Sequence, residues 1–138
     1  HPALIKEFLN FNVHLLFRST LPARERELAI LRVAHRTESA YEWTQHVRMG
    51  GDEGLTEQDI ARVQRGEADD EFDRTILVGV DELMDSYELS DATWAALGER
   101  WDDRQRMDFV FTIGCYITVA MALKTFGIEL DSDQSPGR

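Results

Sequence analysis

The sequence predicts an all-α fold, a single-domain helical bundle of about six to seven helices. Apolar residues recur at helical spacing along nearly the whole of the 138-residue chain. No stretch sustains the two-residue alternation of a strand, and Gly and Pro fall between the periodic runs rather than inside them. The length suits one core and not two. Residues 1–130 are therefore expected to form the domain, and the polar residues 131–138 a disordered tail.

Residues 2–17 read as a first helix, with Leu4, Ile5, Phe8, Leu9, Leu15 and Leu16 as its apolar positions. Pro22 suits the first residue of a second helix, 22–36, because its missing amide would be unpaired there. This helix is apolar nearly all round, which predicts burial on several sides. Glu27 shares one of its faces with Leu31 and Ala34, so a carboxylate should lie on or beside a buried surface. A third helix is expected over 38–49, with Gly50 and Gly51 ending it. Thr56 is the expected N-cap of a short helix reaching Arg65 and closed by Gly66. After a solvated acidic loop, a fifth helix over 71–87 puts Phe72, Ile76, Val80, Leu83 and Tyr87 on one side. Ser90 caps a short helix ending near Trp101, and Asp102 with Gln105 forms a capping box for a last helix running to about Phe126.

Hydrophobic residues at 43% and charged residues at 30% are the balance of a globular protein rather than a disordered one. The 26 acidic and 15 basic side chains give a net charge of -11 and no basic stripe, which argues against nucleic acid as a partner. The single cysteine, Cys115, cannot form an intramolecular disulfide, and a reducing, cytoplasmic setting fits it. The opening residues lack a basic-then-apolar leader. Residues 109–123 carry no charge but fall short of the roughly 20 residues a bilayer needs, so a buried core helix is expected there and no membrane partner.

The residues that interrupt apolar faces carry the functional information. Glu42 and His46 stand one helical turn apart, so they can exchange a proton directly or through one water, and Ser39 lies on the same side. With the partly buried Glu27 they are sufficient for general acid–base chemistry. Spacing alone does not decide this, since a Glu/His pair at i, i+4 is commonly a solvated pair worth about 0.5 kcal/mol or less. His35, Glu42 and His46 could converge on a metal, but no His-Glu-x-x-His segment is present and neither a metal nor another cofactor is expected. Cys115 reads as an inert core thiol; Tyr116 beside it packs in the core or offers its hydroxyl to a pocket; His14 and His35 read as surface or capping residues.

The run Leu21-Pro22-Ala23-Arg24-Glu25-Arg26-Glu27-Leu28-Ala29-Ile30-Leu31 resembles the opening of the carboxymuconolactone decarboxylase and alkylhydroperoxidase-like domain. So do Tyr41-Glu42-Trp43-Thr44-Gln45-His46, the later Gly54-Leu55-Thr56, and the C-terminal Gly114-Cys115-Tyr116 and Lys124-Thr125-Phe126-Gly127-Ile128-Glu129-Leu130. In the peroxidase members this resemblance implies a Cys-x-x-Cys-x-x-x-His helix and a relay glutamate from the preceding helix. His46 and Glu27 match the last two, whereas Ser39 and Glu42 occupy the cysteine positions. Since a thiolate is what attacks a peroxide, thiol peroxidase activity is not expected.

What the resemblance implies instead is a cofactor-independent decarboxylase acting on a small oxygenated or lactone-type carboxylic acid. His46, Glu42 and Glu27 would be its catalytic residues, and Ser39, Tyr41, Trp43 and Tyr116 would border the substrate. Isomerisation, dehydration and lactone hydrolysis ask for similar proton handling, and a non-catalytic oligomeric binding subunit is the reading from a different class. A homo-oligomer, trimer or hexamer, is expected in either case.

Overall fold

The computed structural model describes residues 1–128, and these are all-helical: α1 (Pro2–Phe17), α2 (Ala23–Arg36), α3 (Ala40–Asp52), α4 (Glu57–Arg65), α5 (Glu71–Ser86), α6 (Asp91–Leu97) and α7 (Asp103–Phe126). The predicted tail, 131–138, lies outside the described residues, as do Glu129 and Leu130. Local chemistry fixes most helix starts. Thr56 and Asp59 at α4, and Asp102 and Gln105 at α7, each form a reciprocal capping box, and Ser90 accepts the Thr93 amide at α6. Asp70 caps α5 by accepting from the Phe72 and Asp73 amides.

The bundle is organised around α2, which packs against α3, α4, α5 and α7, while α1 lies on α7. Leu28, Ile30, Leu31 and Val33 of α2 are almost wholly buried, and burying each such side chain contributes about 1.5–3 kcal/mol. Polar ties add direction to this packing. Arg24 grips Asp73 bidentately at 2.9 and 2.8 Å, and Arg32 grips Asp81 at 2.8 and 2.9 Å, so the outer face of α2 is registered against α5.

Several boundaries differ from expectation for identifiable reasons. Pro22 is the N-cap of α2 rather than its first residue. Glu38 adopts a left-handed backbone (φ 53°), so α3 begins after Ser39 and not at 38. Gly50 and Gly51 lie inside α3 rather than ending it. A Cβ on Gly50 would stand 2.9 Å from Leu55 Cδ1, 3.4 Å from Leu31 Cδ1 and 3.6 Å from Glu27 Cβ, so this glycine permits the close approach of α2 to α3. Tyr87 is not on the packed side of α5: it caps the helix with φ 65° and is exposed. The helix that begins after Ser90 stops at Leu97, four residues before Trp101.

Helix α7 is long and apolar enough to cross a membrane by composition alone. It is only in part the buried core helix expected. Phe109, Thr112, Ile113 and Tyr116 face the bundle, but Met107, Val110, Phe111, Met121 and Phe126 are exposed. The apolar residues of α1 are mostly exposed as well, among them Leu4, Ile5, Leu9 and Phe17.

Candidate active site

Helix α2 carries Glu27 into the interior, where it is 0% exposed, and α3 delivers His46 against it. Nδ1 of His46 lies 2.6 Å from Glu27 Oε2, and Nε2 lies 3.4 Å from Glu42 Oε2, so each ring nitrogen faces a carboxylate. Glu42 and His46 are themselves buried. The ring is fixed further by Tyr116 of α7, which meets it edge-to-face with centroids 5.0 Å apart.

Burial works to lower the pKa of His46, but hydrogen bonds to Glu27 and Glu42, reinforced by their charges, outweigh it, and the imidazole is held above its ordinary value. Tyr116 is pushed well above the usual phenol range, first by burial and then by the charges of Glu42 and Glu27, so its hydroxyl stays protonated. When His46 is neutral, the short contact to the Glu27 carboxylate favours the proton on Nδ1 and leaves the Nε2 lone pair on the Glu42 side. A group held this way can take and return a proton without reorienting.

Two polar contributors were not singled out in the sequence. Asn12 of α1 donates to Cys115 Sγ at 3.5 Å. The signal available was a polar residue between Phe8 and Leu15 on the inward face of α1. Arg26 is 8% exposed, with Nε and Nη2 lying 3.4 and 3.5 Å from Glu27 Oε1. Nothing in the local pattern distinguishes it from the half-buried Arg24 and Glu25 beside it.

The predicted substrate-binding residues separate. Tyr116 is part of the core and touches His46. Ser39 and Trp43 line a cleft of about 360 Å³ between the end of α2, the start of α3 and Gln64, and neither Glu42 nor His46 borders that cleft. Ser39 Oγ is buried without a hydrogen-bond partner, and its side chain does not cap α3. Tyr41 is half-buried on α3 and makes no ring contact or hydrogen bond with the trio among the described residues. His35 is exposed and packs edge-to-face on Trp43, away from His46. Cys115 is buried, and burial raises its thiol pKa.

A buried glutamate on α2 thus faces a glutamate and a histidine one turn apart on α3. The model of the Carboxymuconolactone decarboxylase family matches residues 2–80, which takes in all three side chains and more than half of the chain. The chain belongs to the carboxymuconolactone decarboxylase family. Among solved structures it is similar to a protein of unknown function from Agrobacterium tumefaciens, assigned provisionally to AhpD-type antioxidant defence. That likeness has a TM-score of 0.84 at 20% identity and covers 95% of this chain and 92% of the other. It is also similar to an uncharacterized peroxidase-related protein from Silicibacter sp. TM1040, with a TM-score of 0.84 at 16% identity over 97% of this chain and 73% of the other. No curated protein matches the sequence. At these identities the structural neighbours show the fold, the alkylhydroperoxidase-like bundle expected from the sequence.

Proposed function

We propose that this family member is a cofactor-independent enzyme using Glu/His acid–base chemistry, with decarboxylation of a small oxygenated or lactone-type carboxylic acid as its reaction. The observation that carries the reading is a buried His46 with a carboxylate hydrogen-bonded to one ring nitrogen at 2.6 Å and a second 3.4 Å from the other. His46 acts as the principal acid and base, Glu27 orients it and fixes its tautomer, and Glu42 is its partner at the more open side. In such a reaction the bond to the carboxylate carbon breaks, its electron pair passes into a dienolate, carbon dioxide leaves, and the imidazolium delivers a proton to carbon. Isomerisation, dehydration or lactone hydrolysis would use the same proton transfers. A thiol peroxidase reaction is disfavoured because Ser39 and Glu42 stand where thiols would be needed and Cys115 is buried with a raised pKa.

The second reading, a non-catalytic oligomeric binding subunit, draws on the exposed apolar faces of α1 and α7, which bear on assembly rather than on catalysis. Assembly as a trimer or hexamer would cover them and is compatible with either function. The deciding experiment measures carbon dioxide release and product formation with a panel of lactones and β-keto acids. The enzyme reading expects turnover that falls about 10²- to 10⁴-fold in His46→Ala. Wild-type turnover in a well-folded His46→Ala protein would eliminate the mechanism.

A further inference from the structure

The arginines of α2 do not treat their carboxylate partners alike. Arg24 and Arg32 form tight bidentate forks at 2.8–2.9 Å, the spacing at which charge-assisted hydrogen bonds are strongest. Arg26, the most buried of the three, makes only two long contacts, at 3.4 and 3.5 Å, both to one oxygen of Glu27. Its third nitrogen, Nη1, makes no hydrogen bond among the described residues. Among the described residues the sealed polar atoms without partners are Ser39 Oγ, Arg106 Nε and Thr112 Oγ1, and Nη1 of Arg26 is not one of them. A guanidinium brought into a protein interior is costly unless its donors are used. This one is held beside the acid–base cluster with an unused edge.

We propose that Arg26 is the anion-binding residue of the site, taking a carboxylate group of the substrate on the free edge of its guanidinium. The inference rests on reading the cluster as a site that acts on carboxylic acids. Charge favours the role: Glu27 and Glu42 both repel an incoming carboxylate, and among the described residues His46 is the other basic side chain paired with them. Arg26 supplies the opposing charge in a form that binds a carboxylate with two parallel hydrogen bonds. Because it also touches Glu27, an anion docked on it lies next to the chain Glu27–His46–Glu42.

The test titrates the protein with benzoate and with its uncharged isostere benzamide, at fixed ionic strength, while following the Arg26 Nε–H and His46 imidazole resonances by NMR. Saturable movement of the Arg26 signal with benzoate and none with benzamide is expected. Arg26→Met should weaken benzoate at least about tenfold, and Arg26→Lys should restore part of the loss, since a lysine gives charge without the fork. If Arg26 merely balanced Glu27, Arg26→Met would move the His46 titration but leave benzoate binding unchanged, and that result overturns the proposal. Should Arg26→Met fail to fold, an unmoved wild-type Arg26 signal overturns it equally. Benzoate bound at Arg26 with no carboxylic acid turned over would sink the reaction and leave this site standing. Turnover with an unaltered KM in Arg26→Met would do the reverse.

Discussion

Replacing Glu27 by Gln keeps the shape of the side chain and removes its charge, which isolates what that charge does to His46. In the wild type the carboxylate lies 2.6 Å from Nδ1 with no exposure to solvent. An opposite charge this close favours the charged imidazole, so the ring should titrate lower in Glu27→Gln, with burial now pulling it down unopposed on that side. A hydrogen bond to a charged group contributes about 1.5–3 kcal/mol, and the pH-dependent stability of the pair should be of that order. The sign follows from the raised folded-state pKa of His46. Its contribution is fully present below the ordinary imidazole value of about 6.5 and is lost as pH rises through the raised value. The deficit of Glu27→Gln should therefore be largest in acid and shrink toward alkaline pH. NMR titration of the His46 ring, with urea unfolding at about pH 5.5 and 8.5, measures both quantities. A mutant imidazole titrating at or above the wild-type position would show that Glu27 is not what raises it.

Cys115→Ser should leave the proposed decarboxylase activity nearly unchanged, and the wild type should show no thiol-dependent peroxide turnover; peroxide consumption that disappears in the mutant would reverse the assignment. Asp102→Ala removes the acceptor of the Gln105 amide at the start of α7 and should cost about 0.5–2 kcal/mol in urea unfolding, with no change in the His46 titration. Sedimentation should find a trimer or hexamer at micromolar concentration, and a lone 15.9 kDa species would count against assembly through α1 and α7.

The parts legible in the sequence were those written in local spacing. The cap at Thr56, the box at Asp102, and the shared face of Glu42 and His46 depend on residues within one or two turns of each other. What spacing does not carry is which neighbour a face meets. Ser39 and Glu42 lie one turn apart, yet Ser39 borders the cleft with Trp43 while Glu42 points to His46. Asn12 reaches Cys115 across 103 positions of chain, and Arg26 differs from Arg24 only in where α2 happens to be covered. The buried core helix expected over 109–123 holds only in part, because composition reports apolarity, and an apolar face awaiting another surface looks the same as one already packed.

Gly50 stands one turn beyond His46 on α3, where a methyl group would press on Leu55 and Leu31 and sit 3.6 Å from the Cβ of Glu27. The distance between two backbones thus determines how far a carboxylate must reach to hold an imidazole. Proton affinity at His46 is in this sense partly mechanical. A wider gap would stretch the 2.6 Å contact, weaken the grip of Glu27 and let burial drag the ring toward neutrality, with none of the three functional side chains altered. A residue that carries no functional group therefore acts as the spacer that tunes those that do.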